Sequence, residues 1–240
     1  VIPEEEKAGW ERELVEGCDE LGVRLSAQQV QFFVTYGRMI RQWNRLADLV
    51  SPGDLSRLIS RHFLDSLSLL RVLVPLRGAR VLDVGSGGGF PGIPLKICCP
   101  GIDLTLLEPR EKPWFFLRDV VTSLALGSVS LIRERAERIP GQKDDPGRFD
   151  LVLARALAPL DRLVKICLPL VRPGGVLVAY KGRRVPQEVA AAAESIRKAG
   201  GWIATVPTRV PGLSAERHLV LFHGGERRCI GCDDVSAHNR

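Results

Sequence analysis

The densest chemical signal in the chain is the run Asp83-Val84-Gly85-Ser86-Gly87-Gly88-Gly89-Phe90-Pro91-Gly92. Glycines directly after an apolar strand let the backbone turn tightly and come close to a ligand. In open α/β sheets, ligands bind beyond the carboxyl ends of the strands. The run therefore reads as the loop of a nucleotide-like cofactor site. Two details favour S-adenosylmethionine (SAM) over a dinucleotide. Asp83 precedes the first glycine by two residues; a carboxylate there suits the ammonium and sulfonium of SAM and would repel a pyrophosphate. Gly85, Gly87 and Gly89 are followed by Phe90, where a dinucleotide fingerprint has its third glycine. A dinucleotide or other nucleotide site, and a glycine turn without a ligand, are the alternatives at this point.

Further candidates follow at the ends of later strands. Glu108 lies 23 residues after Gly85, a spacing at which an acid can accept hydrogen bonds from both ribose hydroxyls of an adenosine. The alternative is an acid that caps the next helix. Ala136 and Glu137 follow a third strand, where the adenine would be held; taken alone, Glu137 reads more often as a surface acid. Arg155 ends an apolar strand, and a charge there is costly to bury without a partner. It points towards a site, with structural pairing to an acid as the alternative. Lys181, Arg183 and Arg184 form a basic cluster after strand five, suited to RNA phosphates or, equally, to a solvated rim. Arg133, Arg135 and Arg138 read as a solvated face.

These residues need a scaffold. Through about residue 75 the pattern is helical. Leu14, Val15, Cys18 and Leu21 recur at helical spacing up to Gly22. Ser26 and Gln29 form a capping box for the next helix. After the turn Ser51-Pro52-Gly53, Asp54 is expected to cap a helix with the apolar face Leu55, Leu58, Ile59, Phe63, Leu67 and Leu70. From residue 76 to 224, short apolar runs alternate with helices. The strands are expected at Val81–Val84, Asp103–Leu107, Val129–Ile132, Phe149–Ala154 and Val176–Tyr180, with two more near Trp202–Val206 and His218–Phe222. The alternation predicts a doubly wound, mainly parallel α/β sheet. The last two strands lack a helix between them, which suggests an antiparallel edge. Residues 225–240 read as a tail.

The 240 residues carry a net charge of +6, which suits a polyanionic partner without establishing one. No apolar run is long enough to span a bilayer. The start, Val1-Ile2-Pro3-Glu4, lacks the features of a signal peptide. A cytoplasmic protein with reduced cysteines is therefore expected. Cys98 and Cys99 read as core residues. Cys229 and Cys232 read as an incidental CxxC rather than half of a zinc site with His223 or His238, so no metal is expected.

The chain resembles the bacterial 16S rRNA guanine-N7 methyltransferase family (GidB) from about Trp43 to Phe222. The resemblance is carried by Trp43-Asn44, the run His62-Phe63-Leu64-Asp65-Ser66-Leu67, and the glycine loop continued as Phe90-Pro91-Gly92-Ile93-Pro94. Leu106-Leu107-Glu108, Arg135-Ala136-Glu137, Arg155-Ala156, Lys181-Gly182 and Glu216-Arg217-His218-Leu219-Val220 complete it. It implies a Rossmann-like SAM-dependent methyltransferase fold with an N-terminal helical extension. It also implies SAM contacts at Gly85, Phe90, Ala136, Glu137 and Arg155, and a target guanine in 16S rRNA of the small ribosomal subunit. Glu108 stands where the family commonly has Asp, which keeps a carboxylate for the ribose. Guanine N7 has an exposed lone pair and no proton to lose, so no general base is expected. Two rival functions are a noncatalytic RNA-binding or ribosome-assembly factor that keeps the SAM fold, and an NAD-dependent oxidoreductase.

Overall fold

The computed structural model describes residues 4–75, 77–139 and 149–224. Its centre is a seven-stranded sheet in the order β3-β2-β1-β4-β5-β7-β6. The strands are β1 (Arg80–Val84), β2 (Asp103–Leu107), β3 (Val129–Ile132), β4 (Phe149–Arg155), β5 (Val171–Gly182), β6 (Gly201–Thr208) and β7 (Arg217–Gly224). The first five run parallel. Strand β7 inserts antiparallel between β5 and β6 and closes the edge. The helices are α1 (Glu4–Glu20), α2 (Ala27–Ala47), α3 (Asp65–Leu67), α4 (Gly92–Cys98), α5 (Glu111–Ser123), α6 (Leu160–Cys167) and α7 (Val185–Lys198).

Side chains alternate across the sheet, as strand geometry requires. Val81, Leu104, Leu106, Leu151, Leu153 and Val178 bury one face in a core shared with α1, α2, α4 and α5. Leu82, Val84, Val152, Ala154, Leu177 and Ala179 bury the other against α6 and α7. The N-terminal helices are thus continuous with the first core. Ser26 and Gln29 form the expected capping box, and Gln29 Nε2 also donates to Ile97 O at 2.8 Å, which ties α2 to the end of α4. Helix α1 stops as expected, with Gly22 at φ 74°.

Two local expectations need correction. Residues Pro52 to Arg71 do not form one regular helix. They run through a 3-10 segment (Pro52–Arg57), a π turn (Ile59–Leu64), α3 and another 3-10 segment (Ser68–Arg71). Asp54 lies inside the first turn, with Ser51 at the N-cap; its side chain is drawn to Arg61 and away from the backbone. Strand β5 is also longer than expected. Its register jumps from Phe149–Val171 to Leu151–Val176, so Pro173-Gly174-Gly175 bulges within the strand. No helix among the described residues is long and apolar enough to cross a membrane. The tail, with Cys229, Cys232 and His238, lies outside the described residues; among those described, no group of metal-ligating side chains occurs.

Candidate active site

The order β2-β1-β4 marks the point where the sheet reverses its winding, and the carboxyl ends of these strands open a crevice there. The glycine run crosses this crevice between β1 and α4. Gly85 N and Ser86 N both donate to Leu107 O, at 2.8 and 3.1 Å, which docks the loop on the end of β2. Gly85 has φ 71°, and a Cβ there would lie 2.7 Å from Leu157 Cδ1. Gly89 has φ 88°, and a Cβ would lie 2.7 Å from the Tyr36 hydroxyl. Both positions need glycine for backbone angle, and Gly89 also for space, since the Tyr36 hydroxyl is held in place. The Tyr36 hydroxyl donates to Gly88 O, so α2 holds the loop from behind.

A cleft of about 230 Å³ lies in front of the loop. Gly85, Leu107, Ala136, Glu137, Leu157 and Arg162 are among its walls. Gly85, Ala136 and Glu137, chosen from sequence, thus converge although 51 residues separate the first two. Glu137 sits on the rim, 3.4 Å from Arg162. Glu108 is 2% exposed. Its Oε2 accepts from Gly87 N at 2.8 Å, and its Oε1 accepts from Arg110 N and Nε, both at 2.9 Å. These contacts pin the second strand's acid to the loop, with the Arg110 guanidinium over its outer oxygen.

Asp83 is placed differently from what its charge suggested. It points to the opposite face of β1 from Leu82 and Val84, is fully buried, and accepts from Gly92 N at 3.0 Å. It is not among the cleft walls. Burial pushes its carboxyl up to about 7, against the lowering effects of Gly92 N–H, Arg155 and Ser86. Its Oδ2 thus holds the loop where it enters α4, while Oδ1 is buried without a hydrogen-bond partner.

Arg155 and Phe90 lie behind the loop as well. The Arg155 guanidinium stacks 5.0 Å from the Phe90 ring centre, and the His62 ring lies 4.7 Å from the same ring. Arg155 Nη1 donates to Asp65 Oδ2 at 2.8 Å and to Arg61 O at 3.2 Å, while Nη2 meets His62 Nδ1. Arg217 Nε donates to the other Asp65 oxygen at 3.1 Å. Arg61 lies within the π turn, and such turns recur at functional sites. Desolvation, then Arg155, pushes His62 down to about 3, so its ring is neutral. A second cavity of about 250 Å³ opens here, with Asp54, Arg61, His62, Asp65, Arg155 and Arg217 among its walls. Residues Arg155 and Ala156 wall this cavity, and Leu157 and Ala158 wall the first. One turn of chain after β4 therefore divides the two.

Lys181 also reaches the second cavity, but its ammonium is committed to Glu188 Oε2 at 2.6 Å and Ala158 O at 2.8 Å. Arg183 and Arg184 are exposed at the start of α7. Of the basic trio chosen from sequence, two are thus open to a ligand and one serves the fold. His62, Asp65 and Arg217 received no individual role from sequence. The available signal was a buried-type pattern interrupted by charge, since Asp and His are seldom placed on an apolar helix face without partners.

A central sheet ordered 3-2-1-4-5-7-6, with a glycine loop after β1 and an acid ending β2, places the protein among the Rossmann-like methyltransferases. Ribosomal protein L11 methylase from Lactobacillus delbrueckii subsp. bulgaricus shares this fold, with a TM-score of 0.51 and 17% identity over 68% of this chain and 77% of that one. The chain belongs to the rRNA small subunit methyltransferase G family, GidB, whose model matches residues 29–220. Ribosomal RNA small subunit methyltransferase G of Alkaliphilus oremlandii is 37% identical over 210 residues, covering 87% of this chain and 88% of the relative. The protein of that name from Laribacter hongkongensis is 38% identical over 208 residues, covering 87% of this chain and 95% of the relative.

Proposed function

We propose that this enzyme transfers a methyl group from SAM to N7 of one guanine in 16S rRNA of the bacterial small ribosomal subunit, in the cytoplasm. The observation that carries this reading is the pair of cavities separated by residues 155–158, one in front of the glycine loop and one with Arg61, Arg155, Lys181 and Arg217 among its walls. We assign the first to SAM. Gly85, Ala136 and Glu137 line the cleft where the adenosine would lie, and the Glu108 carboxylate, buried beside the loop and not itself a cleft wall, would accept from ribose hydroxyls once its present contacts give way. Arg110 covers one Glu108 oxygen, so its guanidinium must turn outward for both hydroxyls to bind. When bound, SAM supplies an electrophilic methyl on sulfonium.

The chain's contribution is placement. Guanine N7 needs no deprotonation, and the acids around the second cavity are tied into ion pairs rather than poised as bases. Holding donor and acceptor in line can account for about 7–11 kcal/mol of barrier lowering in favourable systems. Arg155 is a positioning residue: it locks the His62–Asp65 segment to the end of β4 and supports Phe90 under the loop. Arg183 and Arg184 are placed to meet RNA phosphates, which would make binding weaken with salt.

Two measurements test this reading. Incubation with methyl-labelled SAM and small subunits lacking the modification should place label on one guanine at N7. Binding of SAM without transfer to any small-subunit RNA would instead support a noncatalytic factor. Glu108→Ala should raise the Kd for SAM about 100-fold, or ~2.7 kcal/mol for the loss of two charge-assisted hydrogen bonds. An unchanged Kd by calorimetry would remove Glu108 from the ribose site.

A further inference from the structure

Most polar groups around the second cavity already have partners. Both Asp65 oxygens accept from guanidinium groups. The Tyr180 hydroxyl donates to Ser66 O at 2.8 Å, and Lys181 is held by Glu188. The exception is His62 Nε2, a buried ring nitrogen with no hydrogen-bond partner on a residue only 8% exposed. The nearest acid is Asp54, whose Oδ2 lies 3.7 Å away, beyond hydrogen-bond reach. Asp54 keeps Oδ1 on Arg61 Nε at 2.6 Å. A carboxylate has about four acceptor sites, so capacity remains.

The protonation pattern of His62 follows from its neighbour. Arg155 Nη2 faces Nδ1, and a guanidinium can only donate. Nδ1 must therefore carry the lone pair, and Nε2 must carry the hydrogen. Burial beside Arg155 and Arg61 keeps the ring neutral. The cavity wall thus holds a donor, His62 Nε2–H, beside an acceptor, Asp54 Oδ2, too far apart to satisfy each other.

That pattern matches one base edge. Guanine presents an acceptor, O6, beside a donor, N1–H. Adenine presents the reverse, a donor amine beside an acceptor nitrogen, and would meet donor with donor and acceptor with acceptor. We propose that His62 and Asp54 select the target guanine, with His62 Nε2–H donating to O6 and Asp54 Oδ2 accepting from N1–H. The assignment rests on the guanine-methylating function above and adds the residues that discriminate. It also agrees with the charge change of the reaction. Methylation at N7 makes the purine cationic and its N1–H more acidic, so the Asp54 contact strengthens as the methyl arrives. Interactions that strengthen in this way accelerate the step. A neutral histidine on O6 adds no opposing charge, whereas a guanidinium there would.

The test uses small subunits carrying guanosine, inosine or 2,6-diaminopurine riboside at the labelled position. All three retain N7. Inosine keeps O6 and N1–H; diaminopurine reverses both. The wild-type enzyme should methylate inosine within about 5-fold of guanosine and diaminopurine at least about 100-fold more slowly, as expected of a site built on buried hydrogen bonds. Asp54→Asn and His62→Ala should retain SAM affinity within about 3-fold and shrink the guanosine preference to below about 10-fold. His62→Gln, whose amide can accept from Arg155 and donate to O6, should recover part of it. Wild-type transfer to diaminopurine at the guanosine rate would overturn the pair, and this comparison does not depend on any variant folding. Variants that bind SAM and keep full discrimination would overturn it as well. Absence of transfer to guanosine itself would instead overturn the function on which the pair rests.

Discussion

Replacing Asp65 with asparagine is expected to lower the unfolding free energy by about 3–5 kcal/mol, the usual effect of removing one member of a buried ion pair. Asp65 has a side-chain exposure of 6%, and its partners Arg155 and Arg217 have 13% and 19%. Without the carboxylate, two guanidinium groups converge on a neutral amide that offers one of them a donor. The damage should spread along the connections these groups make. Arg155 carries the Arg61 carbonyl and the Phe90 ring, and Arg217 starts β7. Urea unfolding of the variant gives the number directly. A loss below about 1 kcal/mol would mean that the cluster is hydrated like a surface pair. A cycle with Arg155→Ala separates the pair's coupling from the strain of each single change.

Asp83→Asn is expected to act in the opposite direction. Asn can still accept from Gly92 N, and it removes a carboxyl whose folded-state pKa is raised from 3.8 to about 7 by burial. Between those two values the folded chain holds a proton that the unfolded chain has lost. Wild-type stability from this group is therefore fully present below about pH 4. It falls as pH rises, by up to ~1.4 kcal/mol per unit, until the group is ionised in both states above about pH 7. The asparagine variant lacks this dependence. At pH 8 it should be more stable than wild type by on the order of 4 kcal/mol, and the two should match near pH 4. Chemical denaturation of both proteins at pH 4.5 and pH 8 compares them. Equal differences at the two pH values would show that Asp83 is not the titrating group. Retaining an acid at this cost suggests that the loop's electrostatics matter to the bound state, which SAM affinity of the same variant would report.

Several features were legible in the amino-acid order because they depend on near neighbours. The capping box at Ser26 and Gln29 and the stop at Gly22 are set within a few residues. The glycine loop announces itself because positive φ angles favour glycine. The five parallel strands follow from short apolar runs separated by helices. Gly85, Ala136 and Glu137 were recognisable as wall residues because Gly85 directly follows β1 and the other two lie in the loop after β3, and the carboxyl ends of these strands must face the crevice.

Only the tertiary structure decided the rest. The insertion of β7 between β5 and β6 is a choice of nonlocal pairing that no local pattern records. Asp83 was recognisable as an acid beside the loop, but which face of β1 it occupies depends on which helices cover each side. The same is true of Lys181, whose charge is cancelled by Glu188 one helical turn into α7. The cluster of His62, Asp65, Arg155 and Arg217 is the clearest case. Its members lie 90 to 152 residues from Asp65 along the chain, apart from His62 within the same helical stretch. Sequence determines which charges exist and on which elements they ride. Burial decides which of them must pair, because an unpartnered charge away from water is too costly to keep, and burial is a property of the packed chain alone.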